Sequence, residues 1–165
     1  SEMSGGVKNV YVSGCSFVGT DTGLRFKSAR GRGGVVENIY IDNINMINIS
    51  GDALTFDLYY MGGGAKNAAI PPVDEGTPLF KDIHISDVYC KGAGRAAGFN
   101  GLPEMKNMVV TDARKGVAIS RVDGIEIEGL DVETEGVALQ IENATDVVVN
   151  GKKYAEVTDR ESVSL

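Results

Sequence analysis

Apolar residues along this chain recur in a short alternating phrase rather than at helical spacing. The phrase occurs six times: Asn9-Val-Tyr-Val, Asn38-Ile-Tyr-Ile, Asp82-Ile-His-Ile, Asn107-Met-Val-Val, Gly124-Ile-Glu-Ile and Asp146-Val-Val-Val. With the first residue of each phrase taken as position zero, positions one and three are always Val, Ile or Met. Positions two and four are mixed. Period-two alternation with β-branched residues on one side predicts a short, half-buried strand at each copy. Position five is Gly14, Asn43, Asp87, Asp112, Gly129 or Gly151, residue types that accept a left-handed backbone, so each strand is expected to turn there.

Beyond the turn the alternation resumes, with Cys15 and Phe17, Ile44 and Met46, Val88 and Cys90, and Leu130 and Val132. A further strand is predicted at Leu24–Ser28, Leu54–Leu58, Ala96–Phe99, Val117–Ser120 and Val137–Ile141. The phrases are 29, 44, 25, 17 and 22 residues apart, and no segment shows helical periodicity over a useful length. Repeats of this size with two or three short strands predict an all-β fold, a single-stranded parallel β-helix of about six coils. Leucine-rich repeats are the rival, but their leucine pattern and helical segment are missing. In such a solenoid, equivalent residues stack about 4.8 Å apart, and the Asn/Asp column at position zero is expected to form a side-chain ladder.

The whole chain, 1–165, reads as one domain. Residues 61–79, around the Gly- and Pro-rich run Gly62–Pro78, read as an inserted loop, equally suited to walling a cleft or to plain surface. The repeat begins at Val7 with no capping segment before it, so the N-terminal coils of a longer solenoid are expected to be missing. An exposed first coil is expected to favour self-association into a homo-oligomer through the coil edge. Lys152–Leu165 is polar enough for a modest cap at the other end.

Composition narrows the function classes. The net charge of −7 argues against nucleic acid as a partner. There is no run of eighteen apolar residues for a membrane span, and no signal peptide at the start. Cys15 and Cys90 make neither a disulfide framework nor a zinc site; both fall in inward columns and read as buried thiols. No cofactor or metal is expected. His84 lies in line with Tyr11 and Tyr40 and reads as part of a surface ladder. The acidic run Glu126, Glu128, Asp131, Glu133 and Glu135 reads as a solvated face; it has no calcium-loop signature.

The most specific chemistry lies in Gly23-Leu-Arg25-Phe-Lys27 and the following Arg30-Gly-Arg32-Gly-Gly34. On a strand, Arg25 and Lys27 point to one face while Leu24 and Phe26 point to the other. With two arginines in the turn, this makes a positive patch on an acidic chain, suited to an anionic ligand. The alternative is a solvated outer face, with Arg25 paired to a residue such as Asp57 on the next coil.

Gly23-Leu-Arg25-Phe-Lys27, the Gly31–Gly34 turn and Val36-Glu-Asn38-Ile closely resemble glycoside hydrolase family 28, the polygalacturonases and related pectin hydrolases. Gly6-Val-Lys-Asn9-Val-Tyr-Val is similar to the family's strand after its histidine motif. Phe26 replaces the usual isoleucine. The resemblance implies a right-handed β-helix, an acidic polysaccharide or oligogalacturonate as partner, and Arg25 and Lys27 as binders of a galacturonate carboxylate. It implies an active-site tyrosine near Phe56-Asp57-Leu58-Tyr59-Tyr60, where the spacing favours Tyr60 over Tyr59. Members are usually secreted or periplasmic.

The departure from the family pattern concerns catalysis. An inverting glycosidase needs one carboxyl group as acid and another as base. The family supplies these from Asn-Thr-Asp and Asp-Asp motifs aided by Gly-His-Gly, and none of the three occurs in this sequence. Thr20-Asp21-Thr22 lies too close to Arg25 to stand in for a motif from an earlier coil. No catalytic residue is therefore assigned. The expectation is a C-terminal portion of a polygalacturonase-like hydrolase, binding substrate but inactive alone. Two alternatives stand beside it: a non-enzymatic β-helical binding or structural module, and, more weakly, a polysaccharide lyase.

Overall fold

The computed structural model describes residues 5–58, 72, 74–100, 105–106, 108–120, 123–158 and 160–163. These residues form an all-β structure with no helix among them. In chain order the strands of the first half are β1 (Val7–Ser13), β2 (Ser16–Val18), β3 (Leu24–Lys27), β4 (Val35–Asp42), β5 (Ile44–Asp57), β6 (Leu79–Ile85) and β7 (Val88–Asn100). The second half continues with β8 (Met105–Lys106), β9 (Met108–Ala113), β10 (Val117–Ser120), β11 (Asp123–Glu128), β12 (Asp131–Thr134) and β13 (Leu139–Glu142). It ends with β14 (Ala144–Val149), β15 (Lys152–Val157) and β16 (Glu161–Val163).

Through most of the chain, strands far apart in sequence pair in parallel. Strands β1, β4 and β6 pair side by side, with Ile39 opposite Val10 and Ile83 opposite Ile39. Strands β2 and β3 both pair with β5, β5 with β7, and β7 with β9 and β10. The alternation read in the sequence is the alternation of burial. Ile39, Ile41, Ile83, Ile85, Ile125, Ile127, Val147 and Val149 are buried, and the residues between them face outward. Inside, Phe26, Phe56 and Phe99 stack face to face, with centroids 4.3 and 5.7 Å apart. Outside, Tyr11, Tyr40 and His84 form the expected ladder, 5.1 and 4.9 Å apart.

Two features of the backbone exceed the sequence reading. Gly14, Asn43, Asp87, Gly129 and Gly151 turn through the left-handed region as expected at position five. Position zero does so too: Asn9, Asn38, Asp82 and Asp146 have φ of 60°, 56°, 51° and 47°. The Asn/Asp column is thus set by backbone conformation as well as by side-chain bonding. The ladder itself is present where Asn38 Nδ2 donates to Asn9 Oδ1 at 3.0 Å.

Two expectations are corrected. The phrase at Asn107 does not continue the column of Asn9, Asn38 and Asp82. Its strand β9 pairs with β7, Met108 opposite Val88, and β12 pairs with it in turn, Asp131 opposite Val109. Met108 and Val110 thus line up with Val88 and Cys90, the apolar-x-apolar pattern that follows the turn residue Asp87. The sheets are also mixed, because the last two strands reverse. Asn150 and Gly151, both left-handed at 48° and 76°, make a two-residue turn that folds β15 back antiparallel on β14. Strand β16 pairs antiparallel with β13. Buried Tyr154 and Val157 make this tail a cap with an apolar inner side, more than the polar cover expected.

Cys90 is fully buried, and burial pushes its thiol up to about 11; Cys15 is half-buried. Glu126, Glu128, Asp131, Glu133 and Glu135 are exposed on alternating positions, as a solvated face requires.

Candidate functional site

Strand β3 presents Arg25 and Lys27 outward while Leu24 is buried and Phe26 stacks on Phe56. The glycine before them is fixed by space. A Cβ on Gly23 would sit 2.3 Å from the Ala53 carbonyl oxygen and 2.5 Å from the Met46 sulfur. The close seat of β3 on β5 therefore requires glycine at this motif position.

Register carries the cationic face across the sheet. Arg25 lies opposite Thr55, Thr55 opposite Gly98, Gly98 opposite Ala118 and Ala118 opposite Gln140. Two residues along, Lys27 leads a second line through Asp57, Asn100, Ser120 and Glu142. Asn100 Nδ2 donates to Asp57 Oδ1 at 3.1 Å, and Ser120 Oγ lies 3.5 Å from Asn100 Oδ1. Asp57, suggested as a partner for Arg25, stands in register with Lys27, two residues further along the same face.

The arginine-glycine turn has a structural duty. Arg30 donates from one terminal nitrogen to the Pro72 carbonyl at 2.9 Å and to Thr77 Oγ1 at 3.1 Å. Gly31 and Gly33 both donate backbone N–H bonds to the Gly76 carbonyl, at 2.9 and 3.0 Å. A Cβ on Gly33, which is left-handed at 58°, would approach the Glu75 carbonyl oxygen to 2.7 Å. The turn thus holds on to residues 72–77, and Arg30 is one of the groups that bind there. Tyr59 and Tyr60, with most of the insertion, lie outside the described residues.

A cleft of about 1050 Å³ opens over β5, β7, β10 and β13, starting at Thr55 and Asp57, one strand beyond Arg25 and Lys27. Arg95, Asn100, Arg114, Lys115, Gln140 and Glu142 are among the side chains lining it. The sequence reading named none of these as site residues. The signal for Ser120 and Gln140 was present, because each lies on an outward position of a predicted strand in line with Arg25 or Lys27; Asn100 falls one residue beyond the predicted Ala96–Phe99.

The sequence profile of glycosyl hydrolases family 28 matches residues 1–97, more than half of the chain. The chain belongs to glycosyl hydrolases family 28. A probable polygalacturonase of Vitis vinifera is 28% identical, over 74% of this chain and 22% of its own length. A polygalacturonase of Ralstonia nicotianae is 42% identical, over 64% of this chain and 20% of its own. One from Cochliobolus carbonum is 29% identical, over 57% of this chain and 28% of its own. The chain therefore spans only about a fifth to somewhat over a quarter of each relative. No solved structure gives a significant match. The family match covers Arg25 and Lys27 on β3 and stops within β7, short of β10 and β13.

Proposed function

We propose that this chain supplies the substrate-binding, C-terminal part of a polygalacturonase-type glycoside hydrolase, with Arg25 and Lys27 gripping a galacturonate carboxylate. The observation that carries the reading is β3 itself. A family-matched strand seated on β5 by Gly23 presents a guanidinium and an ammonium side by side on the outer sheet face. Guanidinium suits bidentate contact with a carboxylate, and ammonium adds a point charge beside it. Tyr60 joins them as the third substrate-binding residue. The architecture we assign is a right-handed single-stranded parallel β-helix of about six coils in one domain. Parallel returns such as Val7 to Val36 and Val88 to Met108 support it.

Hydrolysis with inversion needs an acid and a base flanking the scissile bond. The family's carboxylate motifs are absent from these 165 residues, so this chain binds without cleaving. The ligand is an acidic polysaccharide of the galacturonan type.

The test is a titration of trigalacturonate into the chain and its Arg25→Ala variant at low and moderate salt. Binding that weakens with salt and is lost in the variant supports the subsite. Equal binding by the variant, or no binding at all, refutes it. A reducing-sugar assay on polygalacturonate with the same chain is expected to show no turnover, and sustained turnover would overturn the assignment of binding without cleavage.

A further inference from the structure

The cleft over β5, β7, β10 and β13 is lined by more cations than anions. Arg95, Arg114, Lys115 and Arg160 border it, against Asp57 and Glu142. Both carboxylates are engaged. Asp57 accepts the Asn100 amide at 3.1 Å, and Glu142 lies 3.8 Å from an Arg160 terminal nitrogen. For a chain of net charge −7, such a balance marks this cleft as a place for negative charge.

Arg95 is the most firmly placed of these cations. It stands in register with Asp52 across β5 and β7, just past an irregularity in their pairing. Its Nε donates to Asp52 Oδ1 at 2.9 Å and one terminal nitrogen donates to Oδ2 at 2.5 Å. A side-on pair of this kind fixes the plane of the guanidinium and occupies one edge of its fork, leaving donors on the other edge. The plane lies directly over Gly98. A Cβ there would come within 2.6 Å of a guanidinium nitrogen and 2.8 Å of its central carbon. Gly98 has no left-handed backbone to explain its identity, so the glycine answers to the arginine above it.

Gly98 also belongs to the line that Arg25 begins, through Thr55. The guanidinium of Arg95 therefore covers that line two strands further on, about 10 Å along the stack. A sugar chain laid across the strands from Arg25 would run over Thr55 and arrive at Arg95.

We propose that this cleft is a second anion-binding subsite, in which Arg95, held by Asp52 over Gly98, takes a further carboxylate of the same acidic oligosaccharide. The identity of the ligand rests on the reading of Arg25 and Lys27 given above. Arg114 and Lys115 add positive potential at the same wall. Arg114 is held in place by donating to the Ser50 carbonyl at 3.0 Å.

The test measures hexagalacturonate affinity for the chain, Arg25→Ala, Arg95→Gln and the double variant, by calorimetry at low salt. Each single change is expected to weaken binding about tenfold, and the double change to abolish it, as charge-assisted bonds of this kind predict. The fully methyl-esterified hexamer, whose carboxylates are neutral, should bind the unaltered chain no better than the acid form binds Arg95→Gln. Gly98→Ala keeps every charge but pushes the guanidinium from its seat, and it should weaken the acid hexamer as Arg95→Gln does. Thermal melts by circular dichroism establish that each variant is folded; should Arg95→Gln not fold, Gly98→Ala decides. If Arg95→Gln and Gly98→Ala bind like the parent while Arg25→Ala is weakened, this subsite is refuted and the first reading stands. If Arg95→Gln is weakened and Arg25→Ala is not, the subsite stands and the reading of Arg25 falls. No binding by the unaltered chain refutes both.

Discussion

The two aromatic stacks of this protein have nearly the same geometry and different physical worth. Phe26 on Phe56 is 4.3 Å apart with planes 4° from parallel, and Tyr11 on Tyr40 is 5.1 Å apart at 7°. Both arise because parallel pairing places like positions of neighbouring strands in register. The difference is water. Phe56 and Phe99 are 0% and 1% exposed, whereas Tyr11 is 74% and Tyr40 38% exposed. Register aligns rings wherever they occur; burial decides how much stability comes with the alignment.

That contrast can be broken most sharply at Phe56. Phe56→Ala opens a cavity between Phe26 and Phe99 and should cost about 3–5 kcal/mol in urea unfolding. A loss below about 1 kcal/mol would show that the inner stack is no more than aligned. Next comes Asn150, a polar residue whose amide donates to the Leu130 carbonyl at 2.8 Å and accepts its N–H at 2.9 Å. Asn150→Ala removes both bonds and strains a left-handed position, so about 1–3 kcal/mol should be lost. Amide exchange at Leu130 reports it locally.

Tyr40 stands in the middle of the outer stack, and Tyr40→Ala should cost only about 0.5–1 kcal/mol. A cost equal to that of Phe56→Ala would erase the distinction between the stacks. The smallest effect is expected on the same outer strands at Glu37. It bridges Lys8 and, at 2.8 Å, Lys81. Hydrogen bonds from these two ammonium groups hold the Glu37 carboxyl below its ordinary range. A lowered carboxyl favours the folded state above the ordinary carboxylate pKa and loses that advantage as pH falls through its own lower value. The difference in urea midpoint between the parent and Glu37→Gln should therefore be slight near neutrality and vanish in acid. A difference that grew on acidification would contradict the sign.

Much of this arrangement was legible in the residues. The buried columns, the left-handed turns at position five, the inward phenylalanines and the outward Tyr11, Tyr40 and His84 follow from strand alternation and residue type. At position zero the ladder was legible but the left-handed backbone was not, because Asn and Asp suggest both and the second property is read only at the turns. The Asn107 phrase was placed in the wrong column because apolar-x-apolar follows the turn residue as well as position zero. The uneven spacings of 25 and 17 were the warning, and the pairing replaces them with returns of 20 and 22, Val88 to Met108 and Val109 to Asp131. Arg95 escaped notice for another reason. Its partner Asp52 is 43 residues away, and an irregularity between Ile49 and Asp52 shifts the register there. No period count finds a pair that a bulge brings together. Arg30 was grouped with Arg25 by sequence nearness, although its bonds reach Pro72 and Thr77, more than forty residues on.

The reversal at Asn150 and Gly151 bears on how this molecule coexists with copies of itself. Parallel stacking is in principle an open-ended polymerisation, since each added rung presents the template for the next. Here the last rungs run the other way. Strand β15 closes β14 with Lys152 and Lys153 in its first turn, and β16 covers β13 with only three residues. A short, charged edge of opposite direction is a poor template for another parallel rung. The reversal leaves β15 and β16, rather than parallel strands, at the edges of their sheets.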